Sequence, residues 1–373
     1  MHTHPAPYQP SLIRPTLAIV KASFLSVVVA TLALTTLVLA DEDAHKREFT
    51  SMHWENPKYM EHPKLGEYSK YKKGEWIKQK SGVYTAEASV DGAPAFLKCT
   101  RDSKEYSREA QFYEQLSKPI KPASEICRRI GWASDMFFKK EVDFPTDNQY
   151  GCIVMFSESK VKEVYDYIDT TSKHILYWHT MHLIQQMVVG TAYLHCQNII
   201  HADIKPENML VHHDKEGIQR IKIIDFGVSL DMPPNGKGRM ECNTNGYCGP
   251  ELFKNRDGIV RMTKADGWAL GAVIYIYLMQ ENVYVLPREL LYSGRNKAIY
   301  NEIVKRLYKK ETYLRDAVRR RIRSTYSDIP KRFALAIDLM EKLMRRKPKD
   351  RKSPLDLIAE YADLQIKDKY LGF

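Results

Sequence analysis

The sequence has no Asn-x-Ser/Thr acceptor, no Cys-x-x-Cys pair, no internal repeat and no low-complexity tract. The missing Cys-x-x-Cys removes metal-type cysteine pairing. The missing acceptor removes N-glycosylation and weighs mildly against a secreted protein. Acidic residues are in deficit: 46 Asp and Glu stand against 57 Lys and Arg, for a net charge of +11. A basic balance of this size speaks for solubility and acidic partners, not for a particular activity. No nucleic-acid-binding module accompanies it, so nucleic acid is not expected as a partner. Acidic protein substrates and anionic membrane surfaces are the other candidates. Apolar residues make up 44% of the 373, enough for a full core and against wholesale disorder.

Residues 22–40 carry no charge and are rich in Val, Leu, Ala and Thr. Arg14 and Lys21 precede them; Asp41, Glu42 and Asp43 follow. A basic flank, an apolar run and the small Ala40 behind Val38 make a secretory signal with a cleavage site. About 20 apolar residues also suffice to span a bilayer, so an uncleaved anchor is the alternative. Either keeps the N-terminus cytoplasmic and places the rest in a lumen or outside the cell. A buried core helix is the third reading, and no polar residue recurs at helical period to favour it. We expect 1–40 to be a signal peptide or signal anchor and 41–70 an N-terminal extension.

Six cysteines follow the leader: Cys99, Cys127, Cys152, Cys196, Cys242 and Cys248. An oxidising compartment would permit disulfides. Most are expected to be isolated small core residues. Cys242 and Cys248 are close enough to bridge a loop, but spacing does not select a pairing.

From Trp76 the pattern is strand-like. Residues 83–86 alternate, Asp91-Gly92 marks a turn, and 95–98 returns, as in a hairpin. A helix is expected over 107–116, a short strand over 150–156 and a core helix over 176–194. Two more short strands, 208–211 and 221–224, flank a polar turn at 213–216. Beyond residue 262 the pattern is mostly helical. Strands first and helices later imply an α+β fold in two lobes.

Phosphoryl transfer needs metal ligands, a cation on the phosphates and a carboxylate near the incoming hydroxyl. The stretch HADIKPEN at 201–208 offers Asp203, Lys205 and Asn208 on one loop. Asp225 follows the apolar strand 221–224 and precedes Phe226-Gly227. Asp225 and Asn208 can supply the hard oxygens that Mg²⁺ prefers.

On these residues the chain resembles the eukaryotic protein kinase superfamily, over roughly 71–365. His201-Ala202-Asp203 is similar to the HRD catalytic loop, with Asp203 as the base that orients the substrate hydroxyl. Lys205 matches the Ser/Thr branch, where it touches the transferred phosphoryl group. Asn208 matches the second metal ligand, and Asp225-Phe226-Gly227 the DFG metal ligand. Gly249-Pro250-Glu251 resembles the APE end of the activation segment. Thr244 matches the threonine that braces the catalytic Asp. Asp266-Gly267-Trp268-Ala269-Leu270-Gly271 looks like the DxWxxG helix start, its Asp266 an N-cap holding the catalytic-loop backbone. Arg351 resembles the late arginine that pairs with Glu251. Lys98 is similar to the lysine that binds the α- and β-phosphates. Its partner is Glu109, preferred over Glu114 by helical phase. Val83, Met155 and Leu210 would line the nucleotide site, with Met155 as gatekeeper before the hinge. His201 reads as a packed core histidine.

The resemblance implies a two-lobed kinase domain over 71–366, divided at 157/158, that uses ATP and Mg²⁺ on a protein substrate. Three departures qualify it. Trp76, Lys78 and Ser81 stand where the phosphate-binding loop has glycines, and Gly74 and Gly82 are out of register. Lys78 and Lys80 could supply charge instead, or be solvated strand lysines. Phe96 stands two residues before Lys98, where a small alanine is usual, and could crowd ATP or pack over a shifted adenine. Ala202 replaces the arginine that binds a phosphorylated activation loop, and 228–243 offers only Ser229 as a hydroxyl acceptor. Activity independent of activation-loop phosphorylation is therefore expected. The rival is a catalytically impaired pseudokinase acting as a binding scaffold, favoured by Phe96 and the glycine-poor loop. A small-molecule phosphotransferase of the same fold is disfavoured by Lys205, Thr244 and the GPE-ended segment. The basic runs 319–323 and 345–352 read as solvated helical faces or as docking surfaces for an acidic protein or anionic lipid.

Overall fold

The computed structural model describes residues 71–73, 77–80, 82–90, 92–118, 124–130, 137, 140–144, 150–156, 161–170, 173–213, 219–254, 258–281, 312–324, 326, 329, 331–361 and 364. The leader, the extension, Gly74, Trp76, Ser81 and most of the polar turn expected at 213–216 lie outside them.

Strands β1 (Tyr71–Lys73), β2 (Ile77–Lys80), β3 (Val83–Val90), β4 (Ala93–Thr100), β5 (Lys140–Phe144) and β6 (Gly151–Phe156) form an antiparallel sheet. Its order is β1-β3-β4-β6-β5, with β2 also on β3. The expected hairpin is present: Val90 pairs with Ala93 across the two-residue turn at 91–92. Gly92 has φ +82°, which a turn of this length favours.

Helix α1 (Ser103–Leu116) packs on the sheet, against β4, β5 and β6, whereas α2 (Glu125–Ile130) packs among the later helices. The remaining described helices are α3 (Val164–Thr170), α4 (Lys173–Cys196), α5 (Pro250–Lys254), α6 (Met262–Met279), α7 (Tyr313–Arg323), α8 (Lys331–Leu343) and α9 (Pro354–Glu360). Short strands β7 (Lys162–Glu163), β8 (Ile199–Ile200), β9 (Met209–His213), β10 (Gln219–Ile223), β11 (Leu230–Asp231), β12 (Lys237–Arg239) and β13 (Ile259–Arg261) lie among them. Strands dominate the first part and helices the second, as the two-lobed reading expects.

Period-two alternation decides what each face of the sheet carries. Ala95, Leu97 and Cys99 of β4 join Cys152 and Val154 of β6 in one apolar cluster with Tyr84 and Tyr150. Ile153 and Met155 join the larger core instead, and Phe96 packs against it. Lys98 shares the parity of Phe96. Alternation at 83–86 is not half-burial, however. Val83, Tyr84, Thr85 and Ala86 are all buried, because both faces of β3 are covered.

Helix α1 starts four residues before the sequence pattern suggests. Asp102 caps it by accepting from the Lys104 and Glu105 amides at 2.9 and 3.1 Å, so the polar turn 103–106 is helical too. Helix α6 is buried nearly throughout, as expected for a helix apolar on all sides. Arg261 occupies its N-cap position. Asp266 is therefore not the N-cap that the motif suggested; it lies in the second turn. Met262 and Ala265 are buried and extend the helix's apolar side one turn ahead of Asp266. No described helix is long and apolar enough to cross a membrane, and residues 22–40 lie outside those described.

The cysteines overturn the expectation of isolated core residues. Cys99 pairs with Cys152, Cys127 with Cys196, and Cys242 with Cys248. Cys99 and Cys152 are directly opposite in the β4–β6 register. Cys127 on α2 meets Cys196 at the end of α4. The first two pairings follow from register and from which helix ends meet, neither of which is encoded locally; the third bridges a loop, as the spacing of Cys242 and Cys248 allows.

Candidate active site

The β9–β10 hairpin sets two of the motif residues. Asn208 immediately precedes β9, and Asp225 follows β10 by two residues. The Ile224 amide donates to the Asn208 carbonyl at 3.0 Å and closes the hairpin's open end. Asn208 and Asp225 are thereby held together at one end of a two-stranded ribbon.

Above it, Lys98 Nζ donates to Glu109 Oε2 at 2.7 Å and to Asp225 Oδ1 at 2.8 Å. Helical phase chose correctly: Glu109 is buried on the inner face of α1 with Ala110, Phe112 and Tyr113. Glu114 is exposed and pairs with Lys118 instead. Glu105, one turn before Glu109, is the third carboxylate near Lys98, at 4.0 Å. Burial works to lower the Lys98 ammonium, but Glu109 and Asp225 outweigh it and hold it above its ordinary value. Burial pushes the Glu109 carboxyl up to about 6, with Lys98 pulling the other way.

Two contacts here had no sequence signal. Arg108 Nη1 donates to the Gly227 carbonyl at 3.0 Å, tying α1 to the Asp225-Phe226-Gly227 segment. Glu105 packs so closely on Gly227 that a β-carbon there would come within 2.8 Å of its side chain, which explains the glycine. Phe226 is fully buried and packs edge-on against Tyr113 with ring centroids 5.1 Å apart.

The catalytic-loop candidates converge on Asp203. Thr244 Oγ1 donates to its Oδ1 at 2.6 Å, and Lys205 Nζ to its Oδ2 at 2.7 Å. Lys205 Nζ also reaches Thr244 Oγ1 at 3.3 Å. Asn208 Nδ2 donates to the Asp203 carbonyl at 2.9 Å, which leaves its Oδ1 as a hard acceptor. Burial opposes charge on Lys205, but Asp203 wins and raises the ammonium.

The loop is held from beneath. Asp266 accepts from the His201 amide at 2.9 Å and from the Ala202 amide at 3.0 Å, and contacts His195 Nε2 at 3.1 Å. That is the backbone-holding role expected for it. His201 is fully buried: its Nε2 donates to the Ile224 carbonyl at 3.0 Å, and its Nδ1 accepts from the Asp203 amide at 3.3 Å. It is a structural histidine, as read. Ala202 and Asp225 both have positive φ, +65° and +68°. Backbone there is confined by these contacts.

Arg351 is fully buried and binds Glu251 twice, at 2.6 and 2.9 Å. Its guanidinium stands 4.8 Å from the Trp268 ring centroid. The 345–352 run is thus not wholly a solvated face. The 319–323 run is split: Arg319, Arg320 and Arg323 are exposed, while Ile322 is buried beside Val318 and Leu314. Met155 lies in the main apolar core, against which Leu210 and Phe96 pack. Met155 and Phe96 are cross-strand partners. Val83 is buried on β3, opposite Thr100, and belongs to neither apolar cluster. Lys78 and Lys80 lie on β2.

Residues 81–361 match the protein kinase domain family model. Serine/threonine-protein kinase DCLK1 of Rattus norvegicus is 29% identical over 183 residues, 49% of this chain and 38% of that protein. An Aurora kinase of Yarrowia lipolytica is 38% identical over 122 residues, 33% of this chain and 29% of that protein. The liver/testis phosphorylase b kinase gamma catalytic chain of Homo sapiens is 28% identical over 143 residues, 37% and 34% of the two. The chain spans well under half the length of these curated relatives. The family match covers most of the chain and takes in the Lys98–Glu109 pair, the Asp203 loop and Asp225, and on that basis the chain belongs to the protein kinase family.

Proposed function

We propose that this chain is an ATP-dependent Ser/Thr protein kinase acting in the lumen of the secretory pathway or outside the cell. The observation that carries the reading is the convergence of Thr244, Lys205 and Asn208 on the Asp203 carboxylate. Asp203 can orient the acceptor hydroxyl and take its proton. Lys205 stands beside it to offset charge developing on the transferred phosphoryl group. Lys98, set by Glu109, positions the α- and β-phosphates. Asp225 and Asn208 Oδ1 are hard oxygen donors that fit Mg²⁺. Bound there, Mg²⁺ would neutralise charge on the β- and γ-phosphates. The base, the metal ligands and the phosphate-binding lysine (Asp203, Asn208, Asp225 and Lys98) are all present, which argues against a pseudokinase. The likeness to kinases whose names specify serine and threonine supports the Ser/Thr assignment.

Three disulfides and the uncharged 22–40 run support an oxidising compartment, with that run cleaved as a signal or kept as an anchor. The net +11 supports an acidic protein substrate, and exposed Arg319, Arg320 and Arg323 add to it.

The test is expression of the full chain in eukaryotic cells. The kinase domain is expected to be protected from protease added to intact microsomes or recovered from the medium. It should transfer phosphate from Mg–ATP to Ser or Thr of an acidic protein, and Asp225→Ala should lose that transfer. No transfer together with no thermal shift on Mg–ATP would overturn the enzyme; product phosphate on tyrosine alone would overturn the specificity. Digestion of the domain from the cytosolic side would overturn the location.

The Glu109 carboxyl gives the reaction an acid limb. Below pH about 6 it takes up a proton and the pair with Lys98 is lost. The expected result is a fall in kcat/KM for Mg–ATP of up to about tenfold per pH unit below that value. Stability runs the other way. Folding raises this carboxyl from 4.5 to about 6, so its contribution is present below 4.5 and is lost as pH rises to 6. A pH profile of Glu109→Gln that kept the limb would assign it elsewhere.

A further inference from the structure

We propose that the Cys242–Cys248 disulfide positions the catalytic loop, doing covalently what phosphorylation does in kinases switched at the activation segment; the proposal rests on the kinase reading above. The bond closes a short loop, Cys242-Asn243-Thr244-Asn245-Gly246-Tyr247-Cys248. Three of the five enclosed residues grip the loop 201–208. Asn243 Nδ2 donates to the Ala202 carbonyl at 3.1 Å. Thr244 Oγ1 donates to Asp203 Oδ1 at 2.6 Å and accepts from Lys205. Tyr247 hydrogen-bonds the Glu207 carboxyl.

The usual device is missing at both ends. Ala202 has no guanidinium with which to bind a phosphate. Ser229, the hydroxyl of segment 228–243, is fully buried and donates to the His201 carbonyl at 3.0 Å. It is thus committed to the fold. At the position without an arginine, contact with the segment is made instead through the backbone of Ala202, by Asn243.

The disulfide gives that contact its rigidity. Downstream, Cys248 is buried and leads into Gly249, Pro250 and Glu251, and Glu251 is clamped by Arg351. Upstream, Cys242 sits between exposed Glu241 and exposed Asn243. Met240, two residues before Cys242, is buried in the core, so the bond closes 243–247 between two held ends. A cross-link of this kind removes conformations from the chain it closes. Asn243 and Thr244 are thereby held against Ala202 and Asp203.

The test compares Cys242→Ser/Cys248→Ser with Cys127→Ser/Cys196→Ser, both in the full chain. The second disulfide joins α2 to α4 and makes no contact with Asp203 among the described residues. In the first variant, hydrogen exchange of the amides at 202–208 is expected to rise about tenfold or more. Its kcat is expected to fall about 10–100-fold, as for a misplaced catalytic group. KM for Mg–ATP should stay within about twofold, because Lys98, Glu109 and Asp225 are untouched. The control should lose thermal stability but keep kcat and the exchange pattern at 202–208. Asn243→Ala, which keeps the disulfide, should raise exchange at Ala202 and Asp203 and lower kcat. Phosphatase treatment of the wild type should leave kcat unchanged. Unchanged exchange at 202–208 in both the disulfide variant and Asn243→Ala overturns the proposal, and so does an equal loss of kcat in the control. A wild type that transfers no phosphate sinks the kinase reading alone, since the exchange measurement still decides what the disulfide holds.

Discussion

Asp203→Asn is expected to lower the phosphoryl-transfer kcat by ~10²–10⁴-fold, the range for loss of a positioned general base. The substitution is nearly isosteric, so the loss is chemical. One carboxylate oxygen accepts from Thr244 Oγ1 at 2.6 Å and the other from Lys205 Nζ at 2.7 Å. An amide can accept on only one side, and its NH₂ would face a donor on the other. It also cannot take the proton of the incoming hydroxyl. KM for Mg–ATP is expected to hold, because Lys98 pairs with Glu109 and Asp225, not with Asp203. Steady-state kinetics on one protein substrate separates the two constants. A kcat within about tenfold of wild type would place the base elsewhere.

Arg351→Met has the largest expected effect on stability, a loss of about 3–5 kcal/mol, as for breaking one side of a buried ion pair. Methionine keeps much of the volume of the stem but none of the donors. Glu251 would lose both of its bonds to the guanidinium, at 2.6 and 2.9 Å. The carbonyls of Arg345, Lys264 and Arg346, now within 2.9, 2.9 and 3.3 Å of it, would lose theirs. Equilibrium urea unfolding should show a lower midpoint at an unchanged slope. The double variant Glu251→Leu/Arg351→Met should recover part of the loss, because it removes the uncompensated carboxylate and leaves only the carbonyls unpaired. A double variant no better than the single one would show that the carbonyl bonds, not the ion pair, carry the cost.

These two residues differ in how they could be found. Asp203, Lys205 and Asn208 lie within six positions, so a short stretch of chain brings them together and a motif records them. Arg351 and Glu251 are 100 residues apart, and only the family pattern joined them. Glu109 was separable from Glu114 because a helix turns about 100° per residue, which puts the two on different faces. The start of α1 was missed because Asp102 acts through its side chain on backbone amides, which apolar periodicity does not register. Asp266 was recognised by its motif, but its place in the second turn of α6 was not, since the motif fixes what it binds and not where the helix begins.

By itself the sequence determined the α+β class, the succession of a strand-rich part by a helix-rich part, and the identity of the chemical groups, because each is written in local periodicity or in short motifs. Tertiary structure alone decided the Cys99–Cys152 and Cys127–Cys196 pairs, the tie from Arg108 to Gly227, and the grip of Asn243 on Ala202. Disulfide partners depend on strand register and on which element ends meet in space. The other two contacts end on backbone carbonyls, which every residue carries, so no residue type in the sequence marks the acceptor.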